Sequence, residues 1–165
     1  MRQGIPWLVL GALLVTALER VGEAEGRWSA ELDRIGDRHG ADLDLGETCR
    51  TFALQAEARI SALAPWAERF GNDPKSWTRS DGRVDGFAPS AGGLSVRSVL
   101  PRDLWDAYRV GRECEVSWAL LARAAQAARE RQLLDLVAAA RDGVGRAIEW
   151  LTGRIDEELQ RQLVS

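Results

Sequence analysis

The stretch Gly71–Leu100, GNDPKSWTRSDGRVDGFAPSAGGLSVRSVL, holds Pro74, Pro89 and five glycines and shows no sustained apolar period. It reads as a connection rather than as helix or strand. A structureless stretch of this length is unusual in a compact domain unless it spans a distance or carries function. The segments on either side keep a steady three- and four-residue apolar spacing, so the simplest role for the stretch is to run the length of a helical rod. The helix after it would then run parallel to the helix before it, and the expected fold is an all-α four-helix bundle with one long crossover. Trp77 and Phe87 are the side chains expected to pin the crossover to the bundle; a lid over a ligand is the other reading.

Outward from the crossover, the chain divides into two helical pairs within a single domain spanning residues 1–165. Helix A is expected over residues 7–38, where Leu10, Leu14, Ala17, Val21, Ala24, Trp28, Leu32 and Ile35 form one stripe. His39 and Gly40 should end it, glycine being a natural residue just past a helix. Helix B is expected over residues 45–70, with Asp44 as N-cap, Glu47 completing a capping box, and a kink at Pro65. Helix C should open at Pro101, a favoured first-turn residue, and run to 129. Helix D should follow over residues 132–161; no Gly or Pro marks the turn between them, but one unbroken helix would be exceptionally long.

Composition excludes several classes. Apolar residues make up 45% of the 165, charged residues 28%, and the net charge is −3. Nothing there attracts nucleic acid, and no basic stripe interleaved with aromatics occurs. Lys75 is the only lysine among 22 basic residues, a bias of composition rather than a phosphate-binding design. Gly92-Gly93 has no following lysine, so there is no phosphate loop, and the lone His39 has no partners in sequence for a Ser/His/Asp triad. Cys49 and Cys114 fall at different heights on parallel helices, roughly 15 Å apart at 1.5 Å per residue, too far for a disulfide. Two reduced thiols suit a cytoplasmic protein. Residues 5–18, IPWLVLGALLVTAL, carry no charge. They are too short to span a membrane comfortably, and they read either as a core helix start or as an export or anchoring signal. The unbroken stripe beyond Leu18 favours the core helix.

Glu25, Glu57, Glu113 or Glu115, and Glu149 fall at similar heights when residues are counted outward from each turn. Glu25 lies near the centre of helix A's stripe and should point inward; Glu57, Glu113 and Glu115 lie at the flanks and Glu149 further out. With the long crossover, this layer of carboxylates resembles the ferritin-like superfamily over nearly the whole chain. The resemblance implies an iron or manganese pair held by one Glu from each of two helices and Glu-x-x-His from the other two. Here the matching segments are Glu57-Ala58-Arg59-Ile60 and Glu149-Trp150-Leu151-Thr152, with Ile60 and Thr152 at the histidine positions. The expectation is therefore a bundle closed by protein charges, with no cofactor; a divergent di-metal protein using the five glutamates is the alternative.

Arg141 falls within the helix D stripe, and a buried arginine needs carboxylates. Pairing with Glu25 or Glu115, in place of a metal's charge, is one expectation; snorkelling to the surface is the other. Cys114 between two glutamates reads as an inert buried thiol. Trp105, Tyr108 and Trp150 fall on outer faces and are the candidates for a subunit or partner contact. The expected activity is thus a non-catalytic bundle acting through its surface, as a homodimer or with a partner protein, with the di-metal protein and the membrane-tethered or exported bundle as alternatives.

Overall fold

A computed structural model of the protein describes residues 6–77 and 96–164. Phe87, Pro89, the Gly92-Gly93 pair and Ile5 lie outside the described residues. Four long helices are present: α1 (Trp7–Arg38), α2 (Leu43–Arg69), α3 (Val96–Ala127) and α4 (Arg131–Val164), with a short 3₁₀ turn at Pro74–Ser76.

Cross-helix contacts fix the topology. Glu25 meets Arg59 and Gly36 meets Arg50, so α1 and α2 are antiparallel. Glu25 also meets Trp118, and Arg34 and Arg38 meet Asp103, so α1 and α3 are antiparallel too. Across the remaining seam Arg154 pairs with Asp42 and Arg69 with Glu130, which sets α2 against α4 in the same sense. Going round the bundle the order is α1, α2, α4, α3, every neighbour antiparallel, with α2 and α3 parallel across the diagonal. That is the all-α bundle with a long α2–α3 crossover that the spacing predicts. Packing is close along α1–α2, α1–α3 and α3–α4 and sparse along α2–α4.

The core is a column of buried leucines and alanines around two fully buried tryptophans, Trp28 and Trp118. Glycines admit the large rings. A Cβ on Gly111 would stand 2.7 Å from the Trp28 ring, and one on Gly22 would stand 2.2 Å from the Trp77 ring. Trp77 is accordingly buried at the start of the crossover, against α1.

Helix ends shift from expectation for physical reasons. Asp42, not Asp44, caps α2, its side chain accepting from Leu45 N at 3.1 Å. The helix also runs on through Pro65 to Arg69. α3 begins at Val96 rather than at Pro101, which lies inside it; an early helical proline forfeits only its own hydrogen bond near an end where several amides are already unpaired. α1 stops at Arg38 with His39 as its cap residue, and Gly40 does not adopt a positive φ. The α3–α4 turn is made by Arg129 at φ +59°, with Glu130 N bonding Ala125 O and Arg129 N bonding Gln126 O. That pattern normally recruits glycine, so its sequence signature was absent.

Candidate functional site

Glu25 is fully buried at mid-height of α1, as its place on the stripe predicts. Its partner is Arg59 on α2: Nε donates to Oε1 at 2.7 Å and Nη2 to Oε2 at 2.9 Å. Trp118 Nε1 on α3 donates to Oε1 as well, at 2.6 Å. The Arg59 guanidinium also lies 5.8 Å from the centroid of the Trp28 ring, a cation–π distance. Three helices thus converge on one carboxylate, with a bidentate charge-assisted pair that satisfies both oxygens. A buried ion left alone would be prohibitive, and this geometry is what makes it tolerable.

The core charge pair is therefore Glu25–Arg59, not a pair with Arg141. Arg141 is exposed on α4, because the buried row there is Val137, Ala140, Val144 and Ala147, and Arg141 lies about 100° beyond Ala140. Glu115 is not in the core either; it is half-buried and pairs with Arg112 on its own helix at 2.7 Å. Arg59 carried a sequence signal that was readable. It follows Ala56 by three residues and precedes Leu63 by four, in a core row whose preceding members Ala53 and Ala56 are small and leave room for a long side chain.

The other glutamates do not join this centre. Glu57 is half-buried and accepts from Ser29 Oγ at 3.2 Å. Glu113 is exposed and pairs with Arg27, and Glu149 is exposed. Among the described residues no group of three or more His, Cys, Asp or Glu side chains is placed to share a metal ion. The Glu25 oxygens already accept from Arg59 and Trp118, so the donor set does not fit the di-iron or di-manganese centre that the resemblance implies.

A second polar cluster closes the α1–α2 end. Asp103 on α3 is buried and receives Arg34, Arg38 and His39, the last through Nε2 at 2.8 Å. Arg34 also pairs with Glu31, and these two carboxylates raise its already high pKa. His39 is thus held by a buried carboxylate that sequence inspection passed over, although Asp103 follows Leu100 by three and precedes Ala107 by four.

Both cysteines are buried and free. Burial pushes the Cys49 thiol up to about 12 against the pull of Arg154 and Arg50, and pushes Cys114 well up too, with Glu25 adding to it. Neither thiol is a nucleophile at neutral pH.

The outer aromatics separate into two settings. Trp105 is 52% exposed and stacks on Tyr108 at 5.4 Å between ring centroids. Trp150 is half-buried in the α2–α4 seam, edge-on to Phe52 at 5.6 Å. Trp150 therefore belongs to packing rather than to an outer patch. Exposed Val116 and Leu120 extend the Trp105–Tyr108 pair along α3 instead. Comparison of this chain with protein-family models, with curated proteins and with solved structures finds no match.

Proposed function

We propose that this chain is a non-catalytic bundle of ferritin-like descent that acts through the outer face of α3, pairing with a second copy of itself. The observation that carries the reading is the composition of that face. Trp105, Tyr108, Val116 and Leu120 follow helical spacing along one side, with exposed Arg109, Arg112 and Arg123 among them. Tryptophan, tyrosine and arginine are the residue types enriched where proteins meet. The row is also self-complementary: two antiparallel α3 helices related by a twofold axis near Arg112 bring the aromatic end of one against Val116 and Leu120 of the other. Arg112 is paired with Glu115 at 2.7 Å and so does not enter such a contact as a lone charge. The ferritin-like part of the reading rests on the ring order and the parallel α2–α3 diagonal, with the Glu25–Arg59 pair standing where that family places metal ligands.

Light scattering on the purified chain tests it. A dimer is expected, with Trp105→Ala and Val116→Arg shifting it to monomer at unchanged helicity. Trp150→Ala should lower stability and leave association alone. A wild-type chain that stays monomeric at high micromolar concentration rejects the proposal.

One further observation favours a second reading, surface attachment to a membrane. Trp7, Leu8, Val9 and Leu13 at the start of α1 are exposed by 82%, 89%, 48% and 50%. No helix of the described residues is long and apolar enough to cross a bilayer, so such attachment would be interfacial. Co-sedimentation with anionic vesicles, lost in Trp7→Asp, distinguishes it from α3 pairing.

A further inference from the structure

The loosely packed α2–α4 seam opens into a groove of about 320 Å³ between Gln55, Ala58, Arg59 and Ala62 on one side and Leu136, Ala139, Ala140, Gly143 and Arg146 on the other. Its two ends differ in chemistry. Toward Ala62, Leu136 and Ala139 the walls are hydrocarbon. At the other end two guanidinium groups lie close over Gly143: a Cβ placed there would stand 3.3 Å from Arg59 Nη1 and 3.9 Å from Arg146 Nη2. Arg59 spends Nε and Nη2 on Glu25, which leaves Nη1 on the groove side. Among the described residues Arg146 has no carboxylate partner, and no Asp or Glu lines the groove.

Glu25 balances the Arg59 charge from behind, so the charge left unmatched at this end of the groove is that of Arg146, with Arg59 Nη1 beside it as a free donor. A glycine beneath them lets both guanidinium groups settle close to the α4 backbone. We propose that this groove binds a small organic carboxylate with an apolar tail. The carboxylate sits over Gly143 between Arg59 Nη1 and Arg146 Nη2, and the tail lies along Ala62, Leu136 and Ala139. Glu25 holds the Arg59 fork in a fixed plane from behind, so the donor is set before the ligand arrives. The groove volume lies at the small end of the range for ligand sites, which selects a medium-length chain. The site is independent of the α3 face: its walls come from α2 and α4.

Titration of the ¹⁵N-labelled full chain with octanoate is the test, with octanol and acetate as controls. Octanoate is expected to shift the Gly143 amide and, through Arg59 and Glu25, the Trp118 indole N–H. Octanol and acetate should each bind at least about tenfold more weakly. Arg146→Ala, on an exposed side chain that the fold does not need, should weaken octanoate by a similar factor with unchanged melting temperature. Gly143→Leu should abolish binding by pushing the Arg59 and Arg146 guanidinium groups apart. Equal binding of octanoate and octanol overturns the proposal, because it leaves only a greasy groove. Equal binding of acetate overturns the tail. So does undiminished affinity in Arg146→Ala, or a Gly143 signal unmoved by millimolar octanoate.

Discussion

At the scale of single residues, the buried Glu25–Arg59 pair is the feature most sensitive to change. Arg59→Met replaces the guanidinium with a side chain of similar reach but leaves Glu25 fully buried with only the Trp118 N–H for company. Breaking one partner of such a pair costs about 3–5 kcal/mol. Urea denaturation should show a loss in that range, and Glu25→Gln in the same Arg59→Met background should recover part of it. A loss below about 1 kcal/mol would mean that Glu25 reaches water in solution. Arg129 offers the opposite sign. It holds φ at +59° in a turn that glycine makes without strain, so Arg129→Gly should stabilise by about 1 kcal/mol, read as a raised urea midpoint at constant slope. Both residues show where reading the sequence stops. An arginine in a row of alanines is visible as a spacing, but its partner is not, because the partner lies on another helix. A turn built by an arginine in a left-handed conformation carries no signature at all.

At the scale of elements, α1 is the axis on which α2 and α3 are both laid, and its register was fully legible because its apolar row never changes phase over Trp7–Arg38. The starts of α2 and α3 were less so. Asp42 and Asp44 are both competent caps two residues apart, and Pro101 is compatible with a first turn as well as with the position inside α3 that it takes. The role of Trp77 was legible in kind, as a pin for the crossover, while its socket was not. That socket is Gly22, and the fit is close enough that Gly22→Ala should act as an overpacking change. The added methyl meets the Trp77 ring at 2.2 Å, so the ring must leave or α1 must shift. A cost of about 1–3 kcal/mol is expected, together with a Trp77 indole that becomes accessible to an aqueous quencher. Unchanged quenching and stability would show that Trp77 does not rest on Gly22.

At the scale of the whole molecule, the seams differ in kind. α1–α2, α1–α3 and α3–α4 are closed by the apolar column, while α2–α4 is held by ion pairs at its ends, Arg154–Asp42 and Arg69–Glu130, and by the Phe52–Trp150 contact, and is left open around Ala58, Ala62, Leu136 and Ala139. Periodicity predicted the column, which follows from which face of each helix is apolar, and the length of the stretch after Gly71 predicted that α3 runs parallel to α2. Neither could predict the open seam, which depends on how far apart two alanine-rich faces settle. The closed column also buries both thiols, and that yields a pH dependence with a definite sign. Cys49 is pushed from its ordinary 9.0 to about 12, and Cys114 moves the same way. Below pH 9 both thiols keep their protons whether the chain is folded or not, so the contribution is intact there. Above it the unfolded chain releases them while the folded chain does not, and stability falls by up to about 1.4 kcal/mol per pH unit for each thiol. Urea midpoints should therefore hold steady from neutral pH to about 9 and then decline toward 11. The double variant Cys49→Ala with Cys114→Ala, less stable at neutral pH, should decline less steeply over the same range, since it lacks both buried thiols. Equal slopes would mean that the thiols ionise in the folded bundle, and the apolar column would then have to be wetter than its packing indicates.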